Sequence, residues 1–148
     1  MILFTSLILI HELGHYVTAY LLKWKVKEIR LYPYGGCSHF EVDLNKSTLE
    51  EFIVLIMGPI VQIIFTYLCT FCLREQDTLF LINSSKILLI FNLLPIYPLD
   101  GGKLLFIFLS LLFPYYCTLK YTYYISLFFY LNITKLSTAV DNSVDNFC

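Results

Sequence analysis

Apolar residues fill this chain in five blocks, at 1–22, 52–73, 79–94, 104–114 and 121–133, parted by short polar stretches. The first is apolar apart from His11, Glu12, His15 and a few hydroxyl residues, and its length matches the ~20 residues that a helix needs to cross a bilayer. Ser47 or Thr48 suits the N-cap of the second helix, with Glu50 and Glu51 in its first turn. Gly58-Pro59 interrupts that block, a pair tolerated in a membrane helix when neighbours satisfy the freed backbone groups. The third carries Asn83, Ser84, Ser85 and Lys86 near its start, and the Pro-Ile-Tyr-Pro-Leu-Asp-Gly-Gly run at 95–102 cannot remain regular helix. The last two blocks are short for untilted spans and borrow flanking tyrosines at the interface. Between the first two blocks the period changes. Residues 25–31 alternate polar and apolar and Gly35-Gly36 marks a tight turn, the pattern of a small β-hairpin or strand pair. Residues 138–148 form a polar tail with no expected structure. The expected fold is therefore all-α and integral to the membrane, with about five transmembrane helices and a small membrane-surface β-hairpin after the first. Residues 1–136 make a polytopic core and 137–148 its polar C-terminal tail.

Composition sharpens this picture. Hydrophobic residues make up 58% and charged residues 14% of the 148, where soluble domains carry about 25% charged. A water-soluble core cannot hide so much apolar surface inside so short a chain, so the bilayer is the solvent for most of it. A net charge of −1 argues against nucleic acid as a partner. The five cysteines are odd in number and lack framework spacing, and the Cys69/Cys72 pair has no second pair to complete a zinc site. They read as small hydrophobes in membrane helices. Lys23, Lys25, Lys27 and Arg30 follow the first block rather than precede it, which is unlike a cleaved signal peptide. By the positive-inside rule that cluster is cytoplasmic, and alternation returns Asp100 toward the same face.

The chemistry is concentrated in His11-Glu12-Leu13-Gly14-His15. Residues four apart on a helix lie one above the other, so two imidazoles there can reach one zinc ion at ~2.0–2.1 Å. The glutamate beside the first ligand is placed to take a proton from the attacking water. Histidines in helices more often merely pack, but ionisable groups at membrane depth cost roughly 2.5–3.5 kcal/mol each on the lenient insertion scale. Three within five residues call for a compensating cation. Zinc needs at least one further protein ligand. Asp100 is the best placed, followed by Gly101-Gly102 on a stretch broken by Pro95 and Pro98. Spacing alone leaves it either a metal ligand or an interfacial turn residue. His39 lies in the polar hairpin and reads as a loop residue. Asn92 either hydrogen-bonds a neighbouring helix or holds a substrate carbonyl.

His11–His15 on a membrane helix, followed by Phe-Asn-Leu-Leu-Pro-Ile-Tyr-Pro-Leu-Asp-Gly-Gly at 91–102, resembles the paired motifs of the site-2 intramembrane zinc metalloproteases. Within that family it resembles the stage IV sporulation protein FB group, which processes pro-sigma-K. The resemblance implies that Asp100 is the third zinc ligand beside His11 and His15, that Glu12 is the general base, and that Asn92 positions substrate or stabilises the oxyanion. It further implies that Gly58-Pro59 packs near the active site and that Gly35-Gly36 turns a hairpin meeting the substrate strand. Only ten residues precede His11, where relatives carry a further membrane helix, so a shortened or minimal core is expected. The relatives' nucleotide-binding CBS domain has no counterpart, and ATP sensing is not carried over.

The expected function is hydrolysis of a peptide bond within or beside a membrane segment, in a bacterial cell membrane, with Zn2+ as cofactor and the active site toward the cytoplasm. The substrate is a membrane-tethered protein such as a pro-sigma factor. Regulatory membrane proteins and homo-oligomers are admitted as further partners, and nucleic acid is not. Two rivals stand beside this reading: a membrane zinc enzyme acting on a lipid or small molecule, and an inactive protease homologue acting as a binding protein.

Overall fold

The apolar blocks fold as helices whose ends are set by local signals in the sequence. The computed structural model describes residues 2–24, 26–32, 35–40 and 47–145. In chain order these form α1 (Ile2–Leu21), β1 (Val26–Tyr32), β2 (Gly35–Phe40), α2 (Thr48–Thr70), α3 (Glu75–Asn92), α4 (Asp100–Leu112) and α5 (Tyr115–Asp145). The chain divides into two units, Met1–Ile90 and Phe91–Cys148.

In the first unit, α1 ends by turning Lys23 into the left-handed region at φ 58°. Lys23 N donates to Tyr20 O at 3.0 Å and Trp24 N to Ala19 O at 2.9 Å, which satisfies carbonyls that the helix end would otherwise orphan. Trp24 Nε1 then donates to Glu50 Oε2 at 3.1 Å and ties the end of α1 to the first turn of α2. Ser47 caps α2, its hydroxyl accepting from Leu49 N at 3.3 Å. The helix continues through Pro59, the tolerance expected of that pair in a membrane helix. Proline costs that turn one backbone donor, but the chain need not break for it. A Cβ added at Gly14 would lie 2.7 Å from the Met57 carbonyl oxygen and 3.0 Å from Gly58 Cα. The two helices therefore meet at a distance that only small residues permit. β1 and β2 pair antiparallel from Val26↔Phe40 to Tyr32↔Gly35, with an irregularity between Val26 and Glu28.

In the second unit, the backbone of residues 93–99 folds on itself. Ile96 N donates to Leu94 O at 2.7 Å and Leu99 N to Ile96 O at 2.8 Å. Ser126 on α5 secures this turn from outside, its hydroxyl accepting from Tyr97 N at 3.0 Å and donating to Pro95 O at 3.3 Å. Helix α4 starts earlier than the broken-run expectation allowed, at Asp100, because Gly101 and Gly102 lie directly against the backbone of Leu93, Leu94, Ile96 and Tyr97 and leave no space for side chains. Helix α5 runs on to Asp145 through polar residues expected to be unstructured.

Polarity is partly inverted relative to a protein that folds in water: beside a few buried apolar residues, many hydroxyl and amide side chains are buried and most large apolar ones are exposed. The buried side of α2 carries Gln62 and Thr66 beside Val54, Leu55, Gly58 and Pro59, while Ile53, Ile60, Ile63, Ile64 and Leu68 are exposed. On α5, Thr118, Thr122 and Ser126 recur every fourth residue and are buried, while Tyr123, Tyr124, Phe128 and Tyr130 are exposed. Soluble domains place these residue types the other way round.

The expectation of about five transmembrane helices with a membrane-surface β-hairpin is nevertheless corrected. Among the described residues, α2 alone is long and apolar enough to cross a bilayer. Helix α4 has 13 residues, about 20 Å at the α-helical rise against a hydrocarbon core of about 30 Å. Polar and charged groups lower the hydropathy of the others, His11, Glu12 and His15 on α1 and Glu75, Asp77 and Lys86 on α3. The pairing of β1 with β2 carries no assignment to a membrane surface. Cys37 and His39 fall in β2, and their side chains lie outside the described residues.

Candidate metal centre

Helical periodicity puts His11 and His15 on the buried side of α1, with Leu7, Gly14 and Thr18, while Leu9, Leu13 and Val17 are exposed. Both imidazoles are nearly inaccessible, at 2% and 6% exposure. Their hydrogen bonds fix which ring nitrogen carries the proton. His15 Nδ1 lies 2.8 Å from the Val54 carbonyl oxygen, which can only accept, so the ring must donate there. His11 Nδ1 lies 2.9 Å from Gln62 Oε1. The orientation of that amide is set by its other end, because Gln62 Nε2 donates to the Ser85 carbonyl oxygen at 3.1 Å and to the Ser85 hydroxyl at 3.0 Å. The oxygen therefore faces His11, and His11 too donates from Nδ1.

With both Nδ1 atoms committed as donors, each neutral ring presents a lone pair at Nε2. The two Nε2 atoms face each other at 3.1 Å, with the ring planes at 81°. Two lone pairs at that distance repel unless a cation is shared between them, either a proton on one ring or a metal ion. Zinc bound tetrahedrally at ~2.0–2.1 Å from each nitrogen would set them about 3.3 Å apart. The donor pair fits such an ion in chemistry, in spacing and in its oriented Nδ1–H groups, the usual companions of metal-binding histidines.

Gly58 makes this arrangement possible from the α2 side. A Cβ built there would fall on the His15 ring, 2.9 Å from Cδ2 and closer still to Nε2 and Cε1. The ring thus occupies the place of the missing side chain. Glu12, between the two histidines in sequence, is half-buried on α1. Of the sequence-based candidates, then, the first unit brings His11 and His15 together.

Asp100 and Asn92 belong to the second unit. Asp100 opens α4, is 9% exposed, and sits among first-turn N–H groups that favour a negative charge. Lys103 Nζ lies 3.9 Å from its Oδ1. Asn92 is half-buried and ends α3.

Sequence reasoning missed Gln62, Ser85 and the Val54 carbonyl. A signal for Gln62 was present: it is a lone amide between Gly58-Pro59 and the apolar run Ile63-Ile64-Phe65. An amide there needs a buried partner. Nothing in the sequence marks the Val54 carbonyl, since every residue has one.

A family model, Peptidase family M50, matches residues 1–76. Stage IV sporulation protein FB of Bacillus subtilis is 41% identical over 115 residues, which is 74% of this chain and 40% of that protein. A zinc metalloprotease of Methanocaldococcus jannaschii is 31% identical over 117 residues, 74% of this chain and 33% of its own length. The chain thus spans well under half the length of the curated relatives it matches. Among solved structures, the site-2 protease from Methanocaldococcus jannaschii superposes with a TM-score of 0.76 at 26% identity, covering 97% of this chain and 68% of that one. A matching family model over half the chain, on a helix that pairs two proton-oriented imidazoles, settles the kinship: this chain belongs to peptidase family M50.

Proposed function

We propose that the chain is the core of a site-2-type zinc metalloendopeptidase embedded in a bacterial membrane. It hydrolyses a peptide bond within or next to a membrane segment of a tethered protein substrate. The observation that carries this reading is the approach of His11 Nε2 and His15 Nε2 to 3.1 Å with both Nδ1 atoms already donating. In this reading His11, His15 and Asp100 hold the metal. A third, anionic ligand suits zinc, which in catalytic sites takes three protein ligands and keeps one position open.

Zinc, when bound, supplies Lewis acidity that lowers the pKa of water toward ~7 and polarises a carbonyl. The remaining work belongs to side chains of this chain. Glu12 accepts the proton of the attacking water on its carboxylate and passes it to the departing amine. Asn92 donates its amide N–H to the carbonyl oxygen as negative charge develops there. The partly inverted burial pattern supports a lipid surrounding, since it leaves most large apolar side chains outside and groups such as Gln62, Thr66 and Thr118 inside. Likeness to the sporulation protein supports a pro-sigma factor as one substrate, and the basic cluster after α1 supports a cytoplasmic active site.

The test is purification in detergent, zinc analysis, and cleavage of a membrane-tethered pro-sigma-like substrate by the wild type and by Glu12→Gln. The expected result is stoichiometric zinc in both and cleavage by the wild type alone. Cleavage by Glu12→Gln at the wild-type rate, or wild-type protein that takes up no zinc, would overturn the reading.

A further inference from the structure

The geometry points to Gln62 as a positioning residue for the metal centre, held in place by Ser85 and acting through His11; we infer that it sets the affinity and geometry with which the site takes zinc. This inference rests on the zinc reading above. Gln62 is fully buried and comes from α2, while the ring it holds is on α1 and the groups that hold it are on α3. Its two polar ends are used in one sense only. Nε2 donates to both the carbonyl and the hydroxyl of Ser85, and Oε1 receives Nδ1 of His11. A flipped amide would set Oε1 against the Ser85 carbonyl and Nε2 against a ring nitrogen, losing bonds at both ends. The Ser85 hydroxyl is itself held, 2.9 Å from that of Thr66, and Thr66 Oγ1 also lies 2.9 Å from the main-chain oxygen of Gln62.

This arrangement does two things for His11. It keeps the proton on Nδ1, so that Nε2 presents its lone pair toward His15 Nε2, and it fixes the ring against rotation about its own axis. His15 obtains the same service from a main-chain carbonyl, which no substitution at Val54 removes. His11 obtains it from a side chain, so one half of the site depends on two replaceable residues. Removing such a partner from a metal-binding histidine typically lowers metal affinity about 10–100-fold.

The test uses the full chain in detergent, with zinc affinity measured by competition against a chromophoric chelator and the visible spectrum of the Co2+-loaded protein as a geometric readout. Gln62→Met keeps the length of the side chain and removes both polar ends. It is expected to weaken zinc binding about 10–100-fold and to shift the cobalt spectrum. Ser85→Ala is expected to weaken binding a few-fold in the wild-type background and to add nothing in the Gln62→Met background, because Ser85 acts through Gln62. A merely structural role would lower the unfolding temperature of the metal-free protein and leave affinity and spectrum where they were. Affinity and spectrum unchanged in Gln62→Met, or an equal effect of Ser85→Ala in both backgrounds, would sink the inference. Should Gln62→Met fail to fold, Ser85→Ala alone decides: no change in affinity or cobalt spectrum refutes it. Failure of the wild type to bind either metal would instead count against the zinc reading itself.

Discussion

Replacing Gly58 with alanine puts a methyl group where the His15 ring now lies. The built Cβ is 2.9 Å from Cδ2, the farthest of the three ring atoms it meets. Carbon atoms at their best separation stand ~3.5–4.0 Å apart, so even that atom is about 0.6 Å too close, and Nε2 and Cε1 are worse placed. Neither side can yield cheaply. The new methyl is fixed to the backbone of α2, and the ring is held at Nδ1 by the Val54 carbonyl one turn earlier on the same helix. Relief must come from withdrawal of the ring by more than half an ångström. Metal sites tolerate about 0.2 Å in ligand distance, so the shift is several times the tolerance and His15 ceases to be a good ligand. The expected loss of zinc affinity is at least about 100-fold, equivalent to about 2.8 kcal/mol at 1.4 kcal/mol per tenfold. The overpacking itself should destabilise the metal-free protein by about 1–3 kcal/mol. Chelator competition gives the first quantity and thermal unfolding of metal-free protein the second. Wild-type zinc affinity in Gly58→Ala would refute the argument, since it would mean that the ring can leave this position without consequence for the metal.

Three further outcomes follow from the same geometry. Asp100→Asn removes a formal charge from the proposed ligand set while keeping its shape, and zinc affinity should fall by at least about tenfold, read by the same competition; an unchanged affinity would remove Asp100 from the set. A strong chelator should abolish cleavage, and added zinc should restore it, whereas added magnesium, which prefers oxygen ligands, should not. Ser126→Ala breaks both bonds to the 95–97 turn and leaves the Tyr97 N–H without its partner. Thermal or denaturant unfolding should register a loss of about 1–3 kcal/mol, and a variant as stable as the wild type would show that water replaces the hydroxyl at no cost.

The helices and the histidine pair were legible in the sequence because both signals are local. Blocks of apolar residues give the helices, and the four-residue spacing puts two imidazoles on one face. Ser47 announced the start of α2 in the same way. Span number was less legible, because hydrophobicity along a chain measures what each segment could bury, not how long its helix becomes. Residues 104–114 are apolar enough to suggest a span, yet α4, which takes in 104–112, has only 13 residues. Pro59 was legible as a residue that a membrane helix tolerates, and α2 passes through it. The shell around the histidines was the least legible part. Its members, Val54, Gln62 and Ser85, lie 23 or more residues from the ring or amide they hold. Such pairings are decided by how α1, α2 and α3 pack, which no local pattern records.

The hydroxyl of Ser126 serves the 95–97 turn as acceptor and donor at once. Sliding α5 along its own axis while leaving the turn behind would break both bonds, at a cost of about 1–3 kcal/mol. Over small displacements the two therefore travel as one body, and the first turn of α4, whose glycines rest on the same stretch of backbone, is carried with them. A push on the long tyrosine-studded helix is thereby delivered to the carboxylate of Asp100, although no side chain of α5 need touch it.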